Sequence, residues 1–409
     1  MVEGADVSGG MLDGIRVVDF SQYLAGPACT RLMVEQGAEC IKLELPEHGD
    51  PSRGLQPRIN RRSAFLVQQN RGKRSVGLDF RTEAGRRIAL DLVATSDVVV
   101  ENFSPGVMAR YGLSYEDLSS VKPDLIMASI SGFGQTGPLA DRPAFDFIAQ
   151  GFSGIAHMTG FEDGPPLLVG SAIADSNAGV HAFGAIGTAL FHRERTGEGA
   201  HLDISMVDAL LHMHETGIHA PGVTDGQYVP IRHGRDYQPV APAGVFAGPE
   251  SWIILIVTVN QVDQLWDALG RPDLAADPRF MGNSARVANR AELNRIIEGW
   301  MATFSTDDEV IDALVSHRVP CTKVNSPADL KDIPHLIERG SIVAFDDPLV
   351  GSGFYPGHPI KIEGHEAYVQ GAVESLGQSN AEVLNSLGIS AEGLAELQAA
   401  GVVVSKHHG

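Results

Sequence analysis

The chain has 409 residues, 43% hydrophobic and 20% charged, and 31 basic against 51 acidic side chains leave a formal net charge of −20. That length accommodates two domains with a sizeable core. So negative a field excludes nucleic acid and anionic membrane as general partners, and any anionic ligand needs a local basic patch.

In chain order, a short apolar run at Ile15–Phe20 predicts a first strand and Cys29–Gln36 a helix. Cys40–Leu45 predicts a second strand, and Ser75–Asp79 is strand-like. The helix predicted over Ala84–Ser96 carries Ile88, Leu90, Leu92 and Val93 at helical spacing, and strands follow at Asp97–Glu101 and Leu125–Ser129. Such alternation predicts a parallel sheet covered by helices, a Rossmann-like α/β domain over residues 1–222. Two more helices, Ser176–Arg195 and Asp203–His219, are predicted to close it. Beyond Gly222 the character changes. A strand at Trp252–Val259 and helices at Val262–Leu269, Arg290–Phe304 and Thr306–His317 predict a smaller α/β domain over residues 225–325. Residues 330–409 hold short strands at Ile342–Phe345 and His358–Glu363, then helices Asn380–Leu387 and Ala391–Ala400 separated by the stop signal Gly388.

Several chemistries are disfavoured by missing patterns. Ala25-Gly26-Pro27 stands where a dinucleotide-binding Gly-x-Gly-x-x-Gly would follow the first strand. No Gly-x-Ser-x-Gly elbow marks a serine thioesterase. His212, His214 and His219, with Glu215, lack the His-Glu-x-x-His spacing of a zinc helix, so no metal is predicted. Cys29, Cys40 and Cys321 show no C-x-x-C spacing and read as reduced thiols. With no long apolar run and no signal peptide, a soluble cytoplasmic protein is predicted.

Asp175, in Ser171-Ala-Ile-Ala-Asp-Ser-Asn-Ala-Gly179, is the candidate reactive group. At the head of a helix its carboxylate is expected to stay ionised at neutral pH, and the nearby glycine lets a bulky partner approach. The residue is then either a covalent nucleophile or an aspartate that only caps a helix.

The segments Asp13-Gly-Ile-Arg-Val-Val-Asp-Phe-Ser-Gln-Tyr-Leu-Ala-Gly-Pro27, Gly37–Glu44, Asn70-Arg-Gly-Lys-Arg-Ser75, Val98–Gly106 and Ser129–Pro138, in this order, resemble the class III CoA-transferases, the CaiB–BaiF family. The resemblance extends from Leu12 to Val403. It implies an enzyme that moves CoA from an acyl-CoA to a free, dicarboxylic acid through an aspartyl-CoA thioester on Asp175. It further implies no tightly bound cofactor, coenzyme A as substrate, a C-terminal segment that returns to the large domain, and an interlocked homodimer. Family contacts to CoA fall on Leu24, Ala25, Leu78, Asp79, Phe80, Arg81, Asn102, Phe103, Ser104 and Arg110. The cluster Arg71, Lys73 and Arg74 could meet phosphates or could be solvated surface.

Departures from the pattern bear on substrate. Formyl-CoA:oxalate members carry a glutamine where Leu24 stands, an arginine at Leu45, a tryptophan near Leu55 and a four-glycine loop where His233–Pro239 has one glycine. Longer dicarboxylates than oxalate are therefore expected. The family's α-methylacyl-CoA racemases carry a histidine where Phe145 stands, and phenylalanine cannot exchange a proton, so racemisation is the weaker alternative. A non-catalytic CoA-binding protein is the other, opposed by the intact Asp175 segment.

Overall fold

The computed structural model describes residues 10–365, 367 and 371–406. They divide into two compact units. The first draws on the described residues up to Ser153, on Gly170–Glu215 and on those from Ile333 onward, the second on Gly154–Val169 and Thr216–Asp332. The short stretch Gly154–Val169 joins the second unit, a placement no pattern in the sequence signals.

The first unit is built on six strands: β1 Arg16–Asp19, β2 Glu39–Glu44, β3 Arg74–Gly77, β4 Val98–Glu101, β5 Ile126–Ser131 and β6 Ala200–Ser205. They lie in the order β3-β2-β1-β4-β5-β6, and every neighbouring pair is parallel. Val17, Val18, Val98, Val99 and Val100 have no exposed surface, as befits parallel strands covered on both faces. The crossovers include helix α1 (Ala25–Glu35) between β1 and β2 and helix α2 (Glu83–Ala94) between β3 and β4. Thr82 caps α2 by accepting from Gly85 N–H, while Ile88, Leu92 and Val93 face the core. Between β5 and β6 come α3 (Asp146–Phe152) and the long α4 (Ile173–Thr196), and α5 (Met206–Met213) follows β6. Leu384, Val402 and Val403 join the core of this unit, and the C-terminal strand-like segment bonds the edge of β3 through Val404 N to Gly77 O at 3.0 Å.

The strand order fixes where a ligand can sit. The chain leaves β1 towards β2 on one side and β4 towards β5 on the other, although β1 and β4 are neighbours. Their connections part above the carboxyl ends and leave a crevice there, the switch point where open α/β sheets take ligands.

In the second unit, strands Ala243–Ala247, Trp252–Ile256 and Cys321–Lys323 form an antiparallel sheet with Trp252–Ile256 in the middle. Ile253 and Leu255 point into a core shared with Leu265, Trp266, Leu293, Ile297, Val310 and Leu314 of the covering helices. No helix among the described residues is long and apolar enough to cross a membrane.

Three expected elements differ. Asp203–His219 is not one helix: β6 runs to Ser205, pairs with β5 at Ile130↔Ile204 and Ser131↔Ser205, and only then does α5 begin, capped by Ser205 Oγ. The expected strand at His358–Glu363 is displaced. Ile342–Asp347 pairs instead with Gly351–Pro356 across a short turn, the connection that favours adjacent antiparallel pairing. Finally, α4 starts at Ile173, so Asp175 lies within its first turn and is not the cap, which is Ala172.

Candidate active site

A cavity of about 290 Å³ opens at the switch point, wholly within the first unit. Gln22, Tyr23 and Ala25 line it from the loop after β1, and Asn102, Phe103, Ser104 and Pro105 from the loop after β4. The end of β5 contributes Ile130, Ser131 and Gly132, and the approach to α3 contributes Arg142 to Phe145. Asp175 and Met206 complete it.

The two loops at the crevice are tied together. Asn102 Oδ1 accepts from Gln22 N–H, and Asn102 Nδ2 donates to Gln22 O, both at 2.7 Å. Below the β1 loop lies a buried ionic network. Asp19 Oδ2 accepts from Thr30 Oγ1 at 2.7 Å and Lys73 Nζ at 3.1 Å, and Asp19 Oδ1 accepts from Ser21 N–H at 2.8 Å. Burial acts to raise the Asp19 carboxyl, but Lys42, Lys73 and these hydrogen bonds outweigh it and hold the group well below the usual carboxylate range. Asp50 bonds Lys42 at 3.1 Å and accepts from Tyr23 N–H at 3.1 Å, holding Tyr23 at φ 60°, a conformation that side chains other than glycine adopt rarely. On the other wall, Glu101 accepts from Phe103 N–H at 2.8 Å and from Ser129, and burial pushes its carboxyl up to about 7.

Asp175 is positioned by α4, and α4 by two close approaches. A Cβ on Gly179 would lie 2.6 Å from the Ala25 carbonyl oxygen, so only glycine lets α4 pack this tightly on α1. Asp146, buried at the start of α3, accepts through Oδ1 from the N–H groups of Ala174 at 2.6 Å and Asp175 at 3.2 Å. Its Oδ2 accepts from Gln150 Nε2 at 2.6 Å. The positive end of α4 is therefore engaged by Asp146. Contrary to the expectation of a readily ionised helix-end carboxylate, burial and then the neighbouring Asp146 push the Asp175 carboxyl up to about 7. The result is a mostly buried carboxylate that titrates near neutrality inside a cavity.

Of the residues predicted as CoA contacts, Ala25, Asn102, Phe103 and Ser104 converge here, together with the predicted nucleophile Asp175. Leu24 does not line the cavity; it is the buried cap residue of α1, so its apolar character says nothing about the acceptor, contrary to the expectation above. Leu78 and Phe80 are core residues, Phe80 edge-to-face with Phe20 at 5.3 Å, and their side chains offer a ligand no surface. Asp79 pairs with Arg81, which also binds Glu47 at the surface. Arg110 is exposed at the end of the short helix Val107–Arg110. Neither reading holds for Arg71 and Lys73, whereas Arg74 is a partly exposed surface residue. Arg71 is buried, paired with Glu35 and stacked on Tyr355 at 3.6 Å, Lys73 belongs to the Asp19 network, and Arg74 pairs with Glu39 and Glu382. Arg53 and Arg62 are likewise held internally by Glu44 and Asp347.

Sequence reasoning missed Asp146, Ser131 and Arg142. Arg142 is exposed, lies over the Phe133 ring at 5.6 Å, and is the cation in the cavity lining. His214 is used structurally, its Nε2 2.9 Å from Ser153 O, and His212 packs edge-on to His181.

The model of CoA-transferase family III matches residues 12–380. The acetyl-CoA:oxalate CoA-transferase of Acetobacter aceti is 38% identical over 87% of this chain and 90% of its own length. The succinyl-CoA–D-citramalate CoA-transferase of Chloroflexus aurantiacus is 34% identical over 96% and 98%, and the succinyl-CoA:mesaconate CoA-transferase of Haloarcula hispanica 36% over 93% and 97%. A crystal structure of a CaiB/BaiF family protein from Brucella suis superposes with a TM-score of 0.81 at 35% identity, covering 93% of this chain and all of that one. The match extends across both units, and the chain belongs to CoA-transferase family III.

Proposed function

We infer that the protein transfers CoA from an acyl-CoA to a free dicarboxylic acid, with Asp175 as the covalent nucleophile. The observation that carries this reading is a mostly buried carboxylate in the switch-point cavity, with apolar walls from Phe103, Ile130, Ala144 and Met206 that limit water. Relatives named for oxalate, citramalate and mesaconate support a dicarboxylic acceptor, and Arg142 supplies a cation for an anionic substrate. CoA enters as substrate, with its contacts at the loops Gln22–Ala25 and Asn102–Pro105.

An oxygen of the Asp175 carboxylate attacks the thioester carbonyl and expels CoA as thiolate, giving a mixed anhydride. The thiolate attacks the aspartyl carbonyl, forming the aspartyl-CoA thioester and releasing the donor acid as carboxylate. The acceptor carboxylate then attacks the aspartyl carbonyl and expels the thiolate, which takes the acyl group from the second anhydride and returns Asp175 to its starting form. No proton is consumed and thioester energy is conserved, so the cycle needs neither ATP nor metal. The N-terminus of α1 has no side-chain cap, and its N–H groups beside Ala25 are candidate donors to the oxyanions. A panel of acids with succinyl-CoA and acetyl-CoA as donors tests the substrate class. At least one of oxalate, succinate, mesaconate and citramalate is expected to exceed acetate and butyrate in kcat/KM by about tenfold or more. Preference for a monocarboxylate, or no transfer, contradicts it.

Because the ionised carboxylate attacks, kcat/KM should rise as pH passes upward through about 7, where Asp175 loses its proton. Asp146→Asn keeps an acceptor for the Ala174 and Asp175 amides but removes the neighbouring charge. The acid limb should then move to lower pH, while remaining above the ordinary aspartate range because burial persists. A limb that stays in place excludes Asp146 as a cause of the shift.

A homodimer is part of this reading. Phe147, Ile148 and Phe152 on α3, Val180 and Phe191 on α4, and Leu211 and Met213 on α5 are exposed, an apolar surface on mutually packed helices that a second copy would cover. Light scattering at the monomer mass of 43.6 kDa would contradict it. The three free cysteines support a cytoplasmic location.

A further inference from the structure

Ser131, the last residue of β5, is only 7% exposed, lines the cavity, and has a hydroxyl with no hydrogen-bond partner among the described residues. Its surroundings show that this is not a general feature of the site. Ser129, on the same face of the strand two residues earlier, bonds both Glu101 and His201 Nε2, the latter at 3.0 Å. Ser205, opposite Ser131 in the register, accepts from Asp208 N–H at 3.1 Å and donates to Gly132 O at 3.3 Å. The neighbouring hydroxyls are thus committed, and that of the cavity-lining Ser131 is not. The end of β5 is also held close: a Cβ on Gly132 would lie 2.3 Å from Ala144 Cβ, so this backbone and the Ala144 wall meet tightly. A buried hydroxyl without a partner weakens the fold, and alanine at this position would avoid that cost. Its donor is accounted for if a ligand oxygen accepts from it.

The oxygen with the greatest need of a donor in this cavity is the one that becomes anionic. We propose that Ser131 is a catalytic residue whose O–H donates a hydrogen bond to the acyl oxygen of the CoA thioester, at the carbon Asp175 attacks. The proposal rests on the reading of Asp175 above and adds a side-chain donor to it. The Ser131 proton stays on its oxygen throughout. The bond strengthens as that acyl oxygen takes up negative charge in the first tetrahedral intermediate, and the acceptor's acyl oxygen draws on it in the same way in the last; in the two between, the negative charge sits on the Asp175 carbonyl oxygen.

Ser131→Ala separates this role from a structural one. The variant should lose about tenfold to a thousandfold in the single-turnover rate of aspartyl-CoA formation. Its Kd for free CoA should stay within about twofold, and its Tm should be unchanged or higher, because an unsatisfied hydroxyl has been removed. Three results overturn the proposal: a wild-type rate in the variant, a loss confined to CoA binding with the rate intact, or a lowered Tm that accompanies the loss. Ser131→Thr, which keeps a hydroxyl, should recover part of the rate, and equal loss in both variants contradicts a donor role. If the wild-type protein itself forms no aspartyl-CoA, the reading of Asp175 fails first. If the wild type forms it and Ser131→Ala does so equally fast, only the assignment of Ser131 fails.

Discussion

Asp175→Asn is expected to lower CoA transfer by roughly a thousandfold or more, since no other carboxylate among the described residues lines the cavity. The same change should stabilise the protein at pH 8. In the folded state the Asp175 carboxyl is raised from 3.8 to about 7 by burial and by Asp146. A raised carboxyl means that the folded protein holds its proton more tightly than the unfolded chain does. Stability is therefore highest below the unfolded value, declines as pH rises from about 4 towards 7, and reaches its full loss above the folded value. That loss amounts to at most about 4 kcal/mol, which the neutral amide should largely restore at pH 8 and leave unchanged near pH 3. Chemical denaturation of both proteins at the two pH values measures this. An active variant removes the nucleophile assignment, and a variant less stable at pH 8 contradicts the electrostatic account of the site.

Lys73→Met is expected to produce the largest loss of stability. Its ammonium is buried and donates to Asp19 Oδ2, Thr30 Oγ1, Asn70 Oδ1 and Pro27 O at 2.6–3.1 Å. Methionine matches its length but strands the Asp19 carboxylate with less compensation, and breaking a buried pair from one side costs about 3–5 kcal/mol. Asp19 also orders Ser21, so transfer should weaken as the loop Gln22–Ala25 loosens. The double variant Asp19→Asn/Lys73→Met should recover part of the stability, because no charge is left unpaired. If the double variant is no more stable than Lys73→Met, the cost lies in packing and not in the stranded charge.

Lys73 also shows where the sequence stops being readable. Three cations within four residues, Arg71, Lys73 and Arg74, look like a surface or phosphate-binding cluster, and nothing local reveals that their partners Glu35, Asp19 and Glu39 come from other elements. The central strands, by contrast, announce themselves. Runs such as Val98–Val100 are apolar because both faces of a parallel strand are covered, and Ile88 and Leu92 mark the buried stripe of a crossover helix. The edge strand β6 hides because its outer half alternates with exposed polar residues, His201 and Asp203. Family resemblance points to Ala25, Asn102 and Phe103, and the topology explains their convergence, since all follow neighbouring strands at the switch point. Asp146 leaves no such trace. Its effect depends on accepting from amides 28 and 29 residues further along the chain, a relation that only the folded backbone creates. Likewise Ser131 is one serine among many in the sequence, and becomes singular only when its neighbours' hydrogen bonds are known.

The central claim is covalent catalysis by Asp175, and trapping tests it most directly. Wild-type protein incubated with acyl-CoA and then hydroxylamine, digested and analysed by mass spectrometry, should carry the hydroxamate mass change on the peptide containing Asp175, and the Asp175→Asn protein should not. A label on a different carboxylate, or no label while transfer proceeds, would contradict the account.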